Sequence, residues 1–126
     1  LKHWELEKKK RQNMLASYLE LSDIIGLNEF LPQLYFENNI EIVPLRFVYT
    51  HPNANTIRKK MSKIIDVNWF WFYKPVIACN DPRDLGYIYG SCPISEKIGT
   101  EIINWPCVFN EFYNEQLLNS FRMVHT

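Results

Sequence analysis

Residues 90–107 read GSCPISEKIGTEIINWPC, a stretch that predicts a helix running directly into a short extended segment. Pro93 suits the first turn of a helix, where its missing N–H leaves no hydrogen bond unmade, and Ser91 or Cys92 lies in the cap region before it. Isoleucines at a helical spacing predict one shared face: Ile94, Ile98 and Ile102. Residues 103–107 then predict a short strand-like segment.

The N-terminal part of the chain predicts a long helix followed by irregular structure. Residues 3–22 contain no Gly or Pro, and Gly26 is a suitable residue for the helix end. A stripe of roughly 3.6-residue period predicts the buried face: Trp4, Lys8, Arg11, Leu15, Tyr18 and Leu19. Residues 27–43 are punctuated by proline and asparagine, which favours loops.

The segments before and after the aromatic residues 67–79 predict a strand and two helices. Residues 45–50 are β-rich and alternate, so they predict a strand. A helix follows to about Ile65, with Asn55 or Thr56 as its cap. Residues 111–123 predict a final amphipathic helix with these face residues: Phe112, Gln116, Leu117, Phe121 and Met123.

Residues 67–79 form the most aromatic stretch, with five consecutive aromatic side chains at 69–73. One interpretation is a strand of a core sheet that is covered on both faces. The other is an aromatic wall that faces a ligand or a partner. With this strand the order is α-β-α-β-α-β-α, which predicts an α/β (α+β) fold: a small mixed or antiparallel sheet flanked by helices.

Length and composition indicate one ordinary domain, residues 1–126. Fourteen basic and fourteen acidic residues give a net charge of zero, which argues against a nucleic-acid partner. No apolar run approaches the roughly 20 residues of a membrane span, so no membrane is expected. Cys79, Cys92 and Cys107 are odd in number and form no C-x-x-C pair. They predict buried free thiols in a reducing compartment, which favours the cytoplasm.

The titratable residues form no catalytic or metal-binding pattern. The three histidines, His3, His51 and His125, have no nucleophile and acid beside them in sequence. Asp81 and Asp84 are more typical of a solvated turn than of a cation site. The four glycines are too scattered for a phosphate-binding loop. From the residues alone, no catalytic residue, bound cofactor or metal is expected.

Three segments in the second half carry a family resemblance. Residues 65–75 (IDVNWFWFYKP), 85–97 (LGYIYGSCPISEK) and 101–107 (EIINWPC) are close to the patterns I-D/E-V/T…W-F/Y-x-x-P, G-Y-x-x-G-x-C-P-x-A-E-K and x-V-V-N-L-P-T, with one extra residue in the first and Trp105 in place of the usual Leu in the third. In this order they resemble the C-terminal small domain of the DegT/DnrJ/StrS family, pyridoxal-phosphate-dependent aminotransferases that act on nucleotide-linked sugars. A helix from Lys8 to Leu21, then Leu31-Pro32-Gln33 and then Pro44-Leu45-Arg46-Phe47 resemble the family's link between its large and small domains.

The resemblance implies an enzyme of two domains that have different roles. Residues 1–25 would be a linking helix and residues 26–126 the small α/β domain. The large domain, absent from this sequence, would hold pyridoxal phosphate through an imine to a lysine. The chain alone would then bind no cofactor and catalyse no transamination, but would close one wall of the active-site cleft.

The resemblance also implies substrate contacts. Trp71, Phe72 and Tyr73 would form a wall beside the nucleotide-linked sugar, and Lys74 and Arg46 would contact its anionic groups. A core position for Trp71 and Phe72, and a plain surface charge for Arg46, stay open. The expected partners are the large domain or a second copy in a homodimer.

A second class of function is a free-standing interaction or scaffold module that kept the fold and lost the chemistry. The high aromatic content favours it, as does Ile77, which stands where the family usually has a histidine. In the fragment interpretation, one apolar side of the chain is uncovered, and the isolated chain is expected to self-associate.

Overall fold

The computed structural model combines helices with a two-stranded sheet and describes residues 2–65, 80–107 and 110–126. In chain order the helices and strands are α1 (Lys2–Ile24), β1 (Arg46–Thr50), α2 (Ala54–Met61), α3 (Pro93–Glu101), β2 (Ile102–Pro106) and α4 (Glu111–His125). Short 3₁₀ turns cover Asn28–Phe30, Gln33–Phe36 and Pro82–Leu85. Among these residues β1 and β2 pair antiparallel, which confirms the α+β class. The strand predicted at residues 67–79 lies outside the described residues.

The chain divides into two compact units, Leu1–Tyr49 with Asn104–Thr126, and Thr50–Ile103. Aromatic rings form the core of the first unit. Tyr18 of α1 stacks on Phe47 of β1 with ring centroids 4.9 Å apart, and Phe121 of α4 meets Tyr18 edge-on at 5.0 Å. Trp105 of β2 packs on Phe121 at 5.3 Å, and all four side chains are completely buried. Such ring pairs contribute roughly 0.5–1.5 kcal/mol each beyond the area they bury.

Helix α1 confirms the predicted helix but buries only part of the predicted stripe. It ends at Ile24, and Gly26 adopts a left-handed φ of +74° while the Leu27 N–H donates to the Ser22 carbonyl at 2.8 Å. Leu15 and Tyr18 are buried, joined by Met14, whereas Trp4 is 51% exposed. The stripe is buried only where another element covers it.

Helix α4 is also confirmed, with a partly different buried face. Leu117 and Phe121 are buried as predicted, but Phe112 is 83% and Met123 71% exposed. The buried face continues instead through residues at helical spacing from them: Ser120 and Val124. Because successive helical residues are rotated by about 100°, Phe112 and Met123 fall off this stripe.

In the second unit, α2 starts earlier and ends earlier than the sequence predicts. His51 organises the turn before the helix, because its carbonyl accepts from the Ala54 N–H and its Nδ1 from the Asn53 N–H, both at 3.0 Å. The helix therefore begins at Ala54, and the predicted cap at Asn55 or Thr56 is wrong. The helix ends at Met61, short of the predicted Ile65.

Helix α3 begins at Pro93 as predicted, but its isoleucine face is not buried. Ile94 is 74% and Ile98 43% exposed, and the buried residue of the helix is Gly99. The helix is held through its last turn, where Arg58 of α2 donates to the carbonyls of Gly99 and Thr100 at 3.4 and 2.9 Å. The predicted loop at 80–84 overlaps the 3₁₀ turn Pro82–Leu85, which is started by the Asp81 side chain, because that side chain accepts from the Arg83 N–H.

Candidate functional site

Of the five residues that the resemblance assigns to substrate binding, one lies in the described part of the chain. Arg46 is the first residue of β1 and its side chain is exposed. Trp71, Phe72, Tyr73 and Lys74 fall in residues 66–79, outside the described residues. Arg46 therefore has the solvent access that an anion contact needs, and its relation to the other four is a prediction.

Cys107 directly follows β2 in the first unit and is completely buried. Burial raises the pKa of its thiol to about 12, and the positive charges of Arg11 and Arg46 only partly offset this effect. Since the thiolate is the nucleophilic form, a thiol that stays protonated at neutral pH is inert. Cys92, by contrast, is exposed at the start of α3, so the prediction that it is buried is wrong.

We expect the two described cysteines to differ sharply in reactivity. In native protein, Cys92 should react with an excess of Ellman's reagent at the rate of an exposed thiol. Cys107 should react only at the rate at which the first unit unfolds and exposes it. In denaturant all three cysteines should titrate as free thiols, because no disulfide or metal pattern links them. Fewer than three thiols in a reduced, denatured sample, or fast labelling of a Cys92→Ser variant at Cys107, would contradict this.

A polar cluster at the edge of the aromatic core joins the buried Trp105 and Tyr49 to the half-buried His125. The indole N–H can only donate, and it donates to the Tyr49 hydroxyl at 3.3 Å. The Tyr49 hydroxyl is hydrogen-bonded to Nε2 of His125, and the Nδ1–H of His125 donates to the Phe121 carbonyl at 2.6 Å.

The same cluster is built to stabilise the fold. Tyr49 is only 1% exposed, and burial raises its pKa, opposed by the hydrogen bond from Trp105. Tyr49 therefore stays neutral, and the hydrogen bonds connect β1, β2 and α4. His125 has no nucleophile and acid beside it in sequence, so no role was predicted for it. Its spacing of four from Phe121, on the predicted apolar face of the last helix, is the signal that could have placed it beside the core.

The start of α3 is organised by one carboxylate. Glu96 accepts hydrogen bonds from the Tyr87 hydroxyl and from the Gly90 N–H, the latter at 2.7 Å. These bonds lower the pKa of Glu96, so it is an ionised carboxylate at neutral pH. Gly90 has a left-handed φ of +90°, which a glycine adopts without strain. Glu96 therefore stabilises the turn that leads into α3.

Arg58 in the second unit also has a structural role. Its guanidinium donates to the carbonyls of Thr100 and Ile102 at 2.9 and 3.1 Å and to the Asn55 side chain. Burial lowers its pKa. These carbonyls lie 42 and 44 residues away in sequence, so no local pattern could have predicted this interaction.

A surface groove in the first unit runs along α1, opposite residues 35–42, and has a volume of about 340 Å³. Its walls are mostly apolar, and the polar residues Gln12, Glu37 and Glu41 lie along them. Lys8 pairs with Glu41 at 2.7 Å and Gln12 donates to the same carboxylate at 3.2 Å. These contacts lower the pKa of Glu41 and tie the segment to the helix.

A metal site requires several ligand side chains close together, and a membrane span requires a long apolar helix. Within the described ranges, no group of three or more His, Cys, Asp or Glu side chains could hold a metal ion. None of the helices described has the length and apolar character that a membrane-crossing segment needs.

In comparisons with known proteins, no family model, curated protein or solved structure matches the chain.

Proposed function

We propose that this chain is the C-terminal small domain of a pyridoxal-phosphate-dependent aminotransferase acting on nucleotide-linked sugars. The cofactor and its imine-forming lysine belong to a large domain that this sequence does not contain, and the small domain closes the cleft over the substrate. The parent enzyme works in the cytoplasm on precursors of polysaccharides. The partner of the chain is that large domain or a second copy of the chain.

The observation that carries the proposal is the structure at the start of α3. Several residues that match the family pattern there have structural roles, because Gly90 makes the left-handed turn, Pro93 opens the helix, and Glu96 closes the turn through Tyr87 and Gly90. Their shared role in one turn that opens a helix supports the proposal that this segment is the family's helix entry.

The placement of the other two matched segments adds support. The segment 101–107 contains β2, which follows α3 without a break, and Pro44-Leu45-Arg46-Phe47 leads into β1, which pairs with β2. In the proposed role, Arg46 contacts the diphosphate of the substrate together with Lys74, and Trp71, Phe72 and Tyr73 contact the sugar. Arginine suits this contact because its planar fork binds two phosphate oxygens at once.

The alternative is a free-standing, non-catalytic interaction module. The structural use of the interior titratable groups favours it: Cys107 is held protonated, and Tyr49 lies in a hydrogen-bonded chain. The open reading frame that contains residue 1 separates the two functions. A preceding cofactor domain supports the aminotransferase, and an initiating methionine directly before Leu1 contradicts it.

The aminotransferase proposal predicts how the chain behaves with the cofactor. Purified chain mixed with pyridoxal phosphate is expected to show no stoichiometric internal-aldimine absorbance band, because the imine-forming lysine belongs to the large domain. Weak, non-saturating imines with surface lysines should match those of an unrelated protein of equal lysine content. A saturable band that disappears on replacing one lysine would contradict the proposal.

Self-association of the isolated chain is expected as well. In the first unit Phe112, Met123 and Leu45 are each more than 70% exposed, and large exposed apolar side chains favour association. We expect light scattering over a concentration series to show a dimer, the commonest homo-oligomer, weakened by Phe112→Asp. A monomer at high micromolar concentration would favour the free-standing module.

A further inference from the structure

The groove along α1 is open to solvent, and it has the volume and the apolar lining of a small-molecule site. Six apolar side chains line it: Leu15, Ala16, Leu19, Tyr35, Ile40 and Ile42. Its volume of about 340 Å³ falls at the lower end of the roughly 300–1,000 Å³ typical of ligand pockets. Ile40 is 43% exposed in it, so an apolar ligand would cover surface that water now contacts.

Both sides of the groove are held in place without a ligand. The Tyr35 hydroxyl accepts from the Val48 N–H at 2.9 Å, and its ring stacks on Phe47 with centroids 5.3 Å apart. The far end of the segment is tied to α1 by Lys8 and Gln12, which both contact Glu41. A site whose walls are already ordered loses less conformational entropy on binding.

The charges on the groove select the sign of the ligand. Glu37 and Glu41 are the charged residues that line it, and Glu41 is neutralised by Lys8. Within the described ranges, Glu37 is exposed and takes part in none of the ion pairs. The groove therefore presents an apolar floor beside one unneutralised carboxylate.

We propose that this groove binds a small organic cation with an apolar body, its ammonium group beside Glu37 and its body against Ala16, Leu15 and Ile40. The site differs in charge and position from the Arg46 contact of the proposed function, and it does not depend on that function. An aromatic or aliphatic amine of about a dozen heavy atoms has this chemistry.

The experiment is a titration of the 126-residue chain followed by methyl NMR, with tryptamine as the probe. Indole-3-propionate has a similar ring and tether with the opposite charge and serves as the matched ligand. Tryptamine is expected to shift the methyl signals of Ala16, Ile40 and Ile42 with a dissociation constant of about 1 mM. Indole-3-propionate should bind at least several-fold more weakly.

Two variants locate the site. Glu37→Gln should weaken tryptamine binding about two- to fivefold, the range of one exposed ion pair, whereas Glu20→Gln, an exposed acid on α1 outside the groove, should not. Ala16→Phe fills the groove from an exposed helix position and should abolish the shifts while the circular dichroism spectrum is unchanged.

Three results would overturn the proposal. The first is the absence of saturable shifts up to about 10 mM tryptamine, ten times the expected dissociation constant. The second is equal binding of the amine and the acid. The third is a change of the groove methyl signals with protein concentration alone, which would assign the groove to a second copy of the chain.

Discussion

Replacing Trp105 with alanine is expected to lower the free energy of unfolding by about 3–5 kcal/mol, the range for large-to-small changes of a buried aromatic residue. Trp105 is completely buried and its ring packs on Phe121 at 5.3 Å and Tyr18 at 6.5 Å. The change also removes the donor to the Tyr49 hydroxyl, so a buried oxygen loses a hydrogen bond. For a domain of typical stability, roughly 5–15 kcal/mol, this is a large fraction.

The matched control is Trp4→Ala in the same unit. Trp4 is 51% exposed on α1, and its removal should cost less than about 1 kcal/mol. Urea unfolding followed by circular dichroism at 222 nm measures both variants, since the signal does not depend on either tryptophan's fluorescence. Equal effects of the two substitutions would contradict the assignment of Trp105 to the core.

Raising the pH above about 8.5 is expected to destabilise the first unit progressively. Burial raises the pKa of Cys107 to about 12, and it raises the pKa of Tyr18 and of Tyr49 as well. In the unfolded chain these groups ionise near 8.5 for Cys and 10 for Tyr, while the folded protein keeps them protonated. The unfolded state then binds fewer protons than the native state, so the free energy of unfolding falls with rising pH.

The pH window separates the cysteine from the tyrosines. Between about pH 8.5 and 10 the loss should come mainly from Cys107, so Cys107→Ala should flatten the pH dependence there, although it lowers stability at neutral pH. Cys92→Ala, which removes a thiol at an exposed position, is the matched control. Urea midpoints at half-unit pH steps measure both. A wild-type midpoint that is constant from pH 8 to pH 11 would show that these groups titrate alike in both states.

Local chemistry predicted much of the secondary structure. Pro93 marked the start of α3, Gly26 the end of α1, and the alternating β-rich segment became β1 at Arg46–Thr50. The errors lie at the start and end of α2 and on the faces of the helices. His51 starts α2 one to two residues before the predicted caps, through contacts that no propensity encodes.

The candidate sites were less predictable than the elements. Arg46 was assigned to substrate binding from a resemblance and lies exposed at the start of β1. The other four residues assigned with it, 71–74, lie outside the described residues. The groove was not predicted, because it needs α1 and residues 35–42 side by side. Its members are contributed by two segments about 20 residues apart, and the Lys8 and Gln12 contacts to Glu41 hold them together.

The amino-acid sequence alone determined the features that depend on short range: where helices start and end, which segments extend, and the α+β class. These follow from backbone conformational preferences and from the 3.6- and 2-residue periods, which act within a few residues. Only the tertiary structure decided which face of each helix is buried, that His125 joins Tyr49 and Trp105, and that Cys107 is buried while Cys92 is exposed. The reason is that burial and pKa depend on atoms contributed by residues tens of positions away, whose approach is set by the packing of whole elements.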